Sequence, residues 1–411
     1  MEFSYFLPVH IEFGFGKIDS IGSYAKAYGA KALIVTGRSS AKKTGLYDRV
    51  VKALEAVGID HALFDQVEAN PLTTTAVAGA VMAKEEGASM VIALGGGSVL
   101  DAAKGIAFMA CNEGDINDYI FNKKASDQAL PLLVVPTTCG TGSEGNGFAV
   151  LTNPETGDKK SLRCSAIVPK VSIVDPSLMQ TMSYGQLGPV MFDALCHNLE
   201  AYTSKTAQPF TDALAFYAMQ ELAQWMVPLY QTVKARQEAM GATSSAKANE
   251  TLAGSASKGV TVSHLNEAEK RRAWEGVTLA STIGGMVINT AGVTLGHGLE
   301  HPASGLRNVT HGKGLAALEP LAVAATWQGN PDKFAKIANL FGGREACELS
   351  DCLYGMLEAM DLRIGLSDLG VKEEDIPWMV DNCFKIAAGN LANTCAPVDA
   401  ALIEECYRKA L

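Results

Sequence analysis

Up to about residue 175, short β-branched apolar runs alternate with amphipathic stretches. KALIVT (31–36), HALFDQV (61–67), MVIALG (90–95), LLVVPT (132–137) and VSIVD (171–175) carry the continuous apolar character of strands buried on both faces. Between them, 41–57, 73–87 and 98–110 have the 3.6-residue spacing of helices. This alternation predicts a parallel sheet with helices on both faces. FAVLT (148–152) and KKSLRCSAI (159–167), joined by NPETG, predict an additional hairpin.

Strand signals stop after Asp175-Pro176. From residue 184 the chain is rich in Ala and Leu with helical periodicity, which predicts helices near 184–204, 209–235, 265–290, 312–327, 345–361, 372–388 and 398–409. The expected fold is an α/β domain over 1–183, followed by an all-α domain over 184–411. Residues 239–262 are rich in Ala, Ser, Gly and Lys and can bury little apolar surface, so a surface excursion dispensable for chemistry is expected there.

Composition narrows the class. A chain of 411 residues with 48% hydrophobic and 19% charged residues can build a large core. A net charge of -10 argues against nucleic acid or an anionic membrane as partner. No apolar run of about 18 residues occurs, so no membrane span is expected. The start, MEFSYFLPVHIEFGFG, lacks the basic region of a signal peptide. Nine scattered cysteines without a CxxC fit a reduced, cytoplasmic setting.

Four residues offer chemistry of a different kind. Asp193 and His197 are four apart in a helical stretch, so both side chains lie on one face. His297 and His311 follow a hundred residues later in GHGLEHPASGLRNVTHGKG. One carboxylate and three imidazoles suit Fe²⁺ or Zn²⁺. A pair at i,i+4 is by itself commonplace on helices, and the set gains weight from two loops upstream. Gly95, Gly96, Gly97 and Ser98 follow a strand and open a helix, with Ser98 able to cap it and the free N–H groups facing a pyrophosphate. The motif alone is also an ordinary strand-to-helix turn. PTTCGTGSE (136–144) is a second polar loop at the carboxyl end of a strand, where ligands of open α/β sheets gather. Asp101 and Lys104 read as a solvated i,i+3 pair on the following helix.

HGLEH (297–301) also fits the H-x-x-E-H pattern of inverted zinc proteases, with Glu300 activating water. That reading leaves Asp193, His197, His311 and both loops without a role. In the alternative, His301 lies one turn beyond His297 and relays a proton, and Glu300 has no essential part.

GGGSVLDAAK, PTTCGTGSE, DALCHNLEAY and the GHGLEH…THG segment, in that order and over nearly the whole length, resemble the iron-containing (group III) alcohol dehydrogenase family. The resemblance implies a dehydroquinate synthase-like architecture with a nucleotide-binding N-terminal domain. It implies metal ligands at Asp193, His197, His297 and His311 and a further active-site histidine at His301. It implies Asp101 beside the reacting end of the cofactor, and cofactor contacts from Thr137, Thr138, Thr141, Ser143, Lys160 and Leu178. The activity implied is hydride transfer between a nicotinamide and a small alcohol, aldehyde or ketone, in a homodimer or larger homo-oligomer. A lyase or cyclase of the dehydroquinate synthase type is the alternative within this architecture, and a nucleotide-binding protein without catalysis is the alternative outside it.

Relatives that prefer NAD tend to carry Asp where this chain has Gly37. The segment Gly37-Arg38-Ser39-Ser40 offers donors instead, so NADP(H) is favoured over NAD(H). The chain departs from the family pattern at Pro189-Val190-Met191-Phe192 before the ligand Asp, at Val309-Thr310 before His311, and at Ala303-Ser304 after Pro302. These changes put the substrate pocket, not the ligands, in question.

Overall fold

The structure is a computed structural model and describes residues 2–245 and 265–411. Most of the expected 239–262 excursion lies outside the described residues; its first part, up to Ser245, continues the long helix Pro209–Ser245.

Among the described residues eight strands form: β1 (His10–Phe13), β2 (Lys31–Gly37), β3 (Asp60–Val67), β4 (Met90–Gly95), β5 (Leu132–Pro136), β6 (Phe148–Thr152), β7 (Lys159–Arg163) and β8 (Val171–Val174). Six make a sheet in the order β1-β8-β5-β4-β2-β3, and every neighbouring pair in it is parallel. β6 and β7 make the antiparallel hairpin. Residues of the central strands alternate between two cores. Ile34, Ile92 and Leu94 face one, while Leu33, Val91 and Ala93 face the other. This explains the unbroken apolar runs, because both faces are covered.

The chain leaves β2 for the edge strand β3, then returns past β2 to β4. The direction of winding therefore reverses between β2 and β4, and the crevice outside their carboxyl ends is the ligand position of such sheets. Gly37 and Gly95 are the last residues of those two strands.

After β8 the chain is helical. The helix Tyr184–Thr203 opens with a capping box between Ser183 and Gln186. We propose the division between the two domains here, at 183/184. The helices Tyr184–Thr203, Pro209–Ser245 and Glu267–Ala291 enclose the largest core. Two glycine contacts lock this half against the site. Gly142, at φ +58, sits on Gly285, where a Cβ would lie 1.7 Å from the Gly142 carbonyl oxygen. Gly312 sits on Pro189, where a Cβ would lie 2.2 Å from its carbonyl oxygen. The first seats the loop after β5 on the helix Glu267–Ala291. The second brings the start of the helix His311–Thr326 against the helix that carries Asp193.

Several elements differ from expectation. β1 adds an edge strand that was not foreseen. Gly45, at φ +74, divides the expected 41–57 helix into Ser40–Lys43 and Leu46–Glu55. The segments Leu295–Arg307 and Pro331–Leu340 are helices beyond the expected set. Among the described residues no single helix is long and apolar enough to cross a membrane.

Candidate metal centre and cofactor cleft

Asp193 and His197 lie one turn apart on the helix Tyr184–Thr203, 3% and 5% exposed. His297 comes from the first turn of Leu295–Arg307, and His311 is the first residue of His311–Thr326. The Asp193 Oδ1 atom lies 3.7 Å from His197 Nδ1, 3.6 Å from His297 Nε2 and 3.5 Å from His311 Nε2. The His197 and His297 rings stack at 4.6 Å, and the His297 and His311 centroids are 5.2 Å apart. Asp193, His297 and His311 form one group with ligand atoms within 4.8 Å of one another, and Glu300, His301 and His311 form an overlapping second one. His197 stands beside the first group, with Nδ1 also 3.4 Å from the Gly140 carbonyl oxygen.

Asp193 Oδ1 and His297 Nε2 are buried and have no hydrogen-bond partner. Leaving such atoms unpaired costs about 1–3 kcal/mol each. A hard oxygen and imidazole nitrogens that converge without partners fit a divalent transition ion such as Fe²⁺ or Zn²⁺. Burial pushes the His197 imidazole down to about 4, against the pull of Asp193. Burial would raise the Asp193 carboxyl, but the surrounding imidazoles outweigh it and hold it well below the usual range. Asp193 and His197 therefore favour the unprotonated forms that bind metal, whereas for His297 burial is overcome by Glu200 and Asp193, which hold its imidazole well above the usual range.

Two carboxylates stand behind the imidazoles, and sequence reasoning gave neither this role. Glu200 accepts from His297 Nδ1, from the Thr294 backbone N–H and from Thr294 Oγ1 at 3.1 Å. Glu300 Oε2 lies 2.5 Å from His311 Nδ1, and Glu300 Oε1 accepts from Ser304 Oγ. Each carboxylate takes the Nδ1 side of its ring and turns Nε2 toward Asp193, the usual way of orienting a metal-bound imidazole. The available signal was Glu200 three residues after His197 on the same helix. Glu300, fully buried and held by His311 and Ser304, cannot serve a water between His297 and His301. The protease reading is therefore corrected, and Glu300 is a structural partner of the site rather than a bystander.

Behind Glu200 sits Glu319, 2% exposed. A Cβ on Gly296 would lie 1.6 Å from Glu319 Oε2 and 3.1 Å from Glu200 Oε1, so only glycine fits between them. Burial, and then the charge of Glu200, push the Glu319 carboxyl well above the usual range.

His301 is half-buried, its ring 6.1 Å from that of His297 and 5.8 Å from that of His311. It is not part of the Asp193–His297–His311 group, shares the second group with Glu300 and His311, and lines the cleft. Burial, and then nearby Lys159, hold it well below the usual imidazole range. It is thus a neutral ring, able to accept or donate a proton.

The opposite wall of the cleft comes from the two glycine- and hydroxyl-rich loops. Gly97, Ser98, Asp101, Thr141 and Ser143 line it. A Cβ on Gly97 would lie 2.3 Å from the Thr141 methyl, and one on Gly96 3.1 Å from the Thr138 side chain. The glycines here serve loop-to-loop contact; none of Gly95, Gly96 and Gly97 has a positive φ. Ser98 does not cap the helix as expected, because the helix starts at Gly97 with Gly96 at the cap.

Asp101 and Lys104 are not a solvated pair. Asp101 accepts from Ser143 Oγ at 2.6 Å and the Val150 N–H at 3.0 Å. Lys104 is fully buried and donates to Ser143 O, Ser143 Oγ, Asn146 Oδ1 and Phe148 O at 2.6–2.9 Å. Burial pushes this ammonium down to about 8, with Asp101 opposing. Together the two residues tie the loop after β5 to the helix after β4.

Ser40, Gly95, Thr137 and Leu178 share a second hollow at the carboxyl ends of the strands. Arg38 does not join them. It lines a separate hollow with Asp65, Gln66 and Glu68, which corrects the picture of Arg38, Ser39 and Ser40 as one donor cluster. Position 37 itself carries no carboxylate. Lys160 is likewise absent from the main cleft. The alternation of β7 turns Lys159, Ser161 and Arg163 into it, while Lys160 Nζ donates to Ile386 O at 2.8 Å.

The sequence profile of iron-containing alcohol dehydrogenase matches residues 8–176. The profile of the C-terminal region of the Fe-containing alcohol dehydrogenase family matches 189–264 and 245–411. The chain belongs to the iron-containing alcohol dehydrogenases. It is 32% identical over 393 residues to a 1,3-propanediol dehydrogenase of Klebsiella pneumoniae, covering 93% of this chain and 92% of that protein. It is 29% identical over 390 residues to an NAD-dependent methanol dehydrogenase of Bacillus methanolicus, covering 93% of each. Among solved structures, an archaeal halo-thermophilic alcohol dehydrogenase from a Red Sea brine pool superposes with a TM-score of 0.87 at 30% identity. That match covers 100% of this chain and 99% of the other. Like other iron-containing alcohol dehydrogenases, this one is a metal-dependent oxidoreductase with a parallel-sheet domain followed by a helical domain.

Proposed function

We propose that this alcohol dehydrogenase interconverts a small alcohol and its aldehyde or ketone in the cleft between the Gly97–Thr141 junction and the histidine cluster. Asp193, His197, His297 and His311 would hold Fe²⁺, with Zn²⁺ as the alternative. The observation that carries this reading is the convergence of a carboxylate oxygen and imidazole nitrogens, two of these atoms buried without partners, on one wall of a cleft lined opposite by a helix N-terminus. A bound ion supplies Lewis acidity to a carbonyl or alkoxide oxygen, and the nicotinamide supplies or accepts the hydride.

The chain's own groups do the rest. Backbone N–H groups at the start of the helix Gly97–Met109 receive the pyrophosphate. Asp101 and Lys104 fix Ser143, and with it the loop that meets the nicotinamide ribose. Thr137, Thr138 and Thr141 belong to the same loop, while Ser40 and Leu178 line the adenosine end. Lys159 and Arg163, in place of Lys160, are the basic groups inside the cleft. His301 accepts the alcohol proton and passes it to water. Ile288 and Val293 line the same cleft and limit water near the reacting carbon.

NADP(H) is preferred over NAD(H) in this proposal, on the strength of Gly37 lacking the carboxylate that would repel a 2′-phosphate. The names of two relatives point to NAD or NADH for those enzymes. The setting proposed is cytoplasmic, in keeping with nine free cysteines. A homodimer or larger assembly is proposed because Phe3, Phe6 and Phe210 are exposed, with Phe3 and Phe210 in contact.

The test is metal-dependent turnover of NADPH with small aldehydes after loading with Fe²⁺ or Zn²⁺. His297→Ala should lose stoichiometric metal and at least about 99% of kcat, with an unchanged circular dichroism spectrum. Full metal content and full turnover in that variant would refute the site.

A further inference from the structure

A hollow of about 240 Å³ adjoins the reaction cleft. Ser161, Arg163 and His301 line both, so His301 stands at the boundary between them. Lys160 and Asn390 add polar groups to the adjoining hollow, and no carboxylate lines it. Arg163 lies over the Phe148 ring, Cζ to centroid 4.6 Å, and has no acidic partner among the described residues. Among the described residues, Lys160 Nζ meets the Ile386 carbonyl and the Phe121 ring.

Asp158, the acid whose charge reaches Lys160, is already engaged. It accepts from Asn382 Nδ2 at 2.8 Å, Lys385 Nζ at 2.6 Å and Thr156 Oγ1 at 2.9 Å. The hollow therefore holds two cations against no counter-charge of its own. Two like charges facing one cavity repel, and an anion between them relieves that repulsion while using the guanidinium fork. Purely neutral alcohols would leave both cations without a partner.

We propose that the substrate carries an anionic group (carboxylate, sulfonate or phosphate) at the end away from the reacting carbon. Arg163 binds that group, Lys160 adds to the field, and the carbonyl end reaches past His301 into the metal-side cleft. This rests on the dehydrogenase reading given above and names the substrate class for it.

The experiment compares matched aldehydes on the metal-loaded enzyme: 4-oxobutanoate with its methyl ester, 2-oxoethanesulfonate with propanal, and glyceraldehyde 3-phosphate with glyceraldehyde. At least one anionic member should exceed its neutral match by about ten- to a hundredfold in kcat/KM, the range of a charge-assisted contact. Which pair shows the gain identifies the anion. Arg163→Gln should lower that ratio by a similar factor, through KM more than kcat, and Lys160→Met by less. Arg163 is exposed, so the variant should fold. Wild-type enzyme that reduces the neutral aldehydes with no gain for any anionic one overturns this proposal alone. An unchanged ratio in Arg163→Gln also overturns it. Failure to turn over any aldehyde with any metal would instead sink the dehydrogenase reading.

Discussion

Glu300 Oε2 and His311 Nδ1 lie 2.5 Å apart in the interior, eleven residues apart in the chain and on two successive helices. The carboxylate that the HGLEH pattern offers to a hydrolytic water is thus committed to orienting an imidazole. Glu300→Gln was the natural innocuous control from the sequence, and the geometry makes it informative instead. A glutamine there keeps the size but lacks the charge that faces the ring. Metal affinity should fall about 10- to 100-fold, the usual cost of losing an orienting partner. Competition with a chromophoric chelator measures it, and wild-type affinity would mean that the pair is incidental.

His301 tests the division of labour among the histidines. Its ring is outside the Asp193–His297–His311 group and lines both the cleft and the adjoining hollow. His301→Gln should keep stoichiometric metal and nucleotide binding, while kcat falls by about 10²-fold or more and the pH profile flattens. Loss of the metal from this variant would make His301 a ligand and displace His197 from that role.

Glu319 gives a pH dependence whose sign follows from its surroundings. Burial and Glu200 raise its folded pKa well above the model-peptide range, whereas the unfolded chain releases this proton near the ordinary value. A raised carboxyl contributes stability that is fully present below the unfolded pKa of about 4.3 and is lost as pH rises toward the folded value. Glu319→Gln keeps the shape and removes the titration. The stability difference, variant minus wild type, should therefore grow between about pH 4.5 and 8. Denaturation midpoints across that range check it; a flat difference would show that Glu319 is ionised in the folded protein.

Cofactor choice turns on position 37. Gly37→Asp places a carboxylate at the end of β2, at the reversal of the sheet. It should weaken NADPH through repulsion and favour NADH through the ribose hydroxyl, changing the kcat/KM ratio by about ten- to a hundredfold. Arg38, which faces the hollow with Asp65 and Glu68, should matter less than its sequence position implies. A wild-type preference for NADH in the same assay would end the NADP proposal.

The sequence by itself determined the architecture, and it presented the residues that converge. Strand and helix periods are local properties of the chain, so the runs at 90–95 and 132–137 and the Asp193–His197 spacing are readable without a partner. The two segments holding Asp193, His297 and His311 are legible in the sequence, and the structure brings their ligand atoms together. What only the tertiary structure decided is how each side chain is held and which way it faces. Glu200 and His297 are 97 residues apart, and nothing in either segment announces the contact. Lys104 reads as a surface helix residue until the loop after β5 closes over it and supplies four acceptors. Lys159 and Lys160 are the same residue type side by side, and only the facing of the β7 hairpin puts the first in the cleft and the second at the adjoining hollow. Arg38 and Ser40, two residues apart, are sent to different hollows by the turn at the end of β2. Periodicity is a property of the backbone alone, whereas these assignments depend on which distant element packs against each side chain, and that is fixed only when the chain is folded.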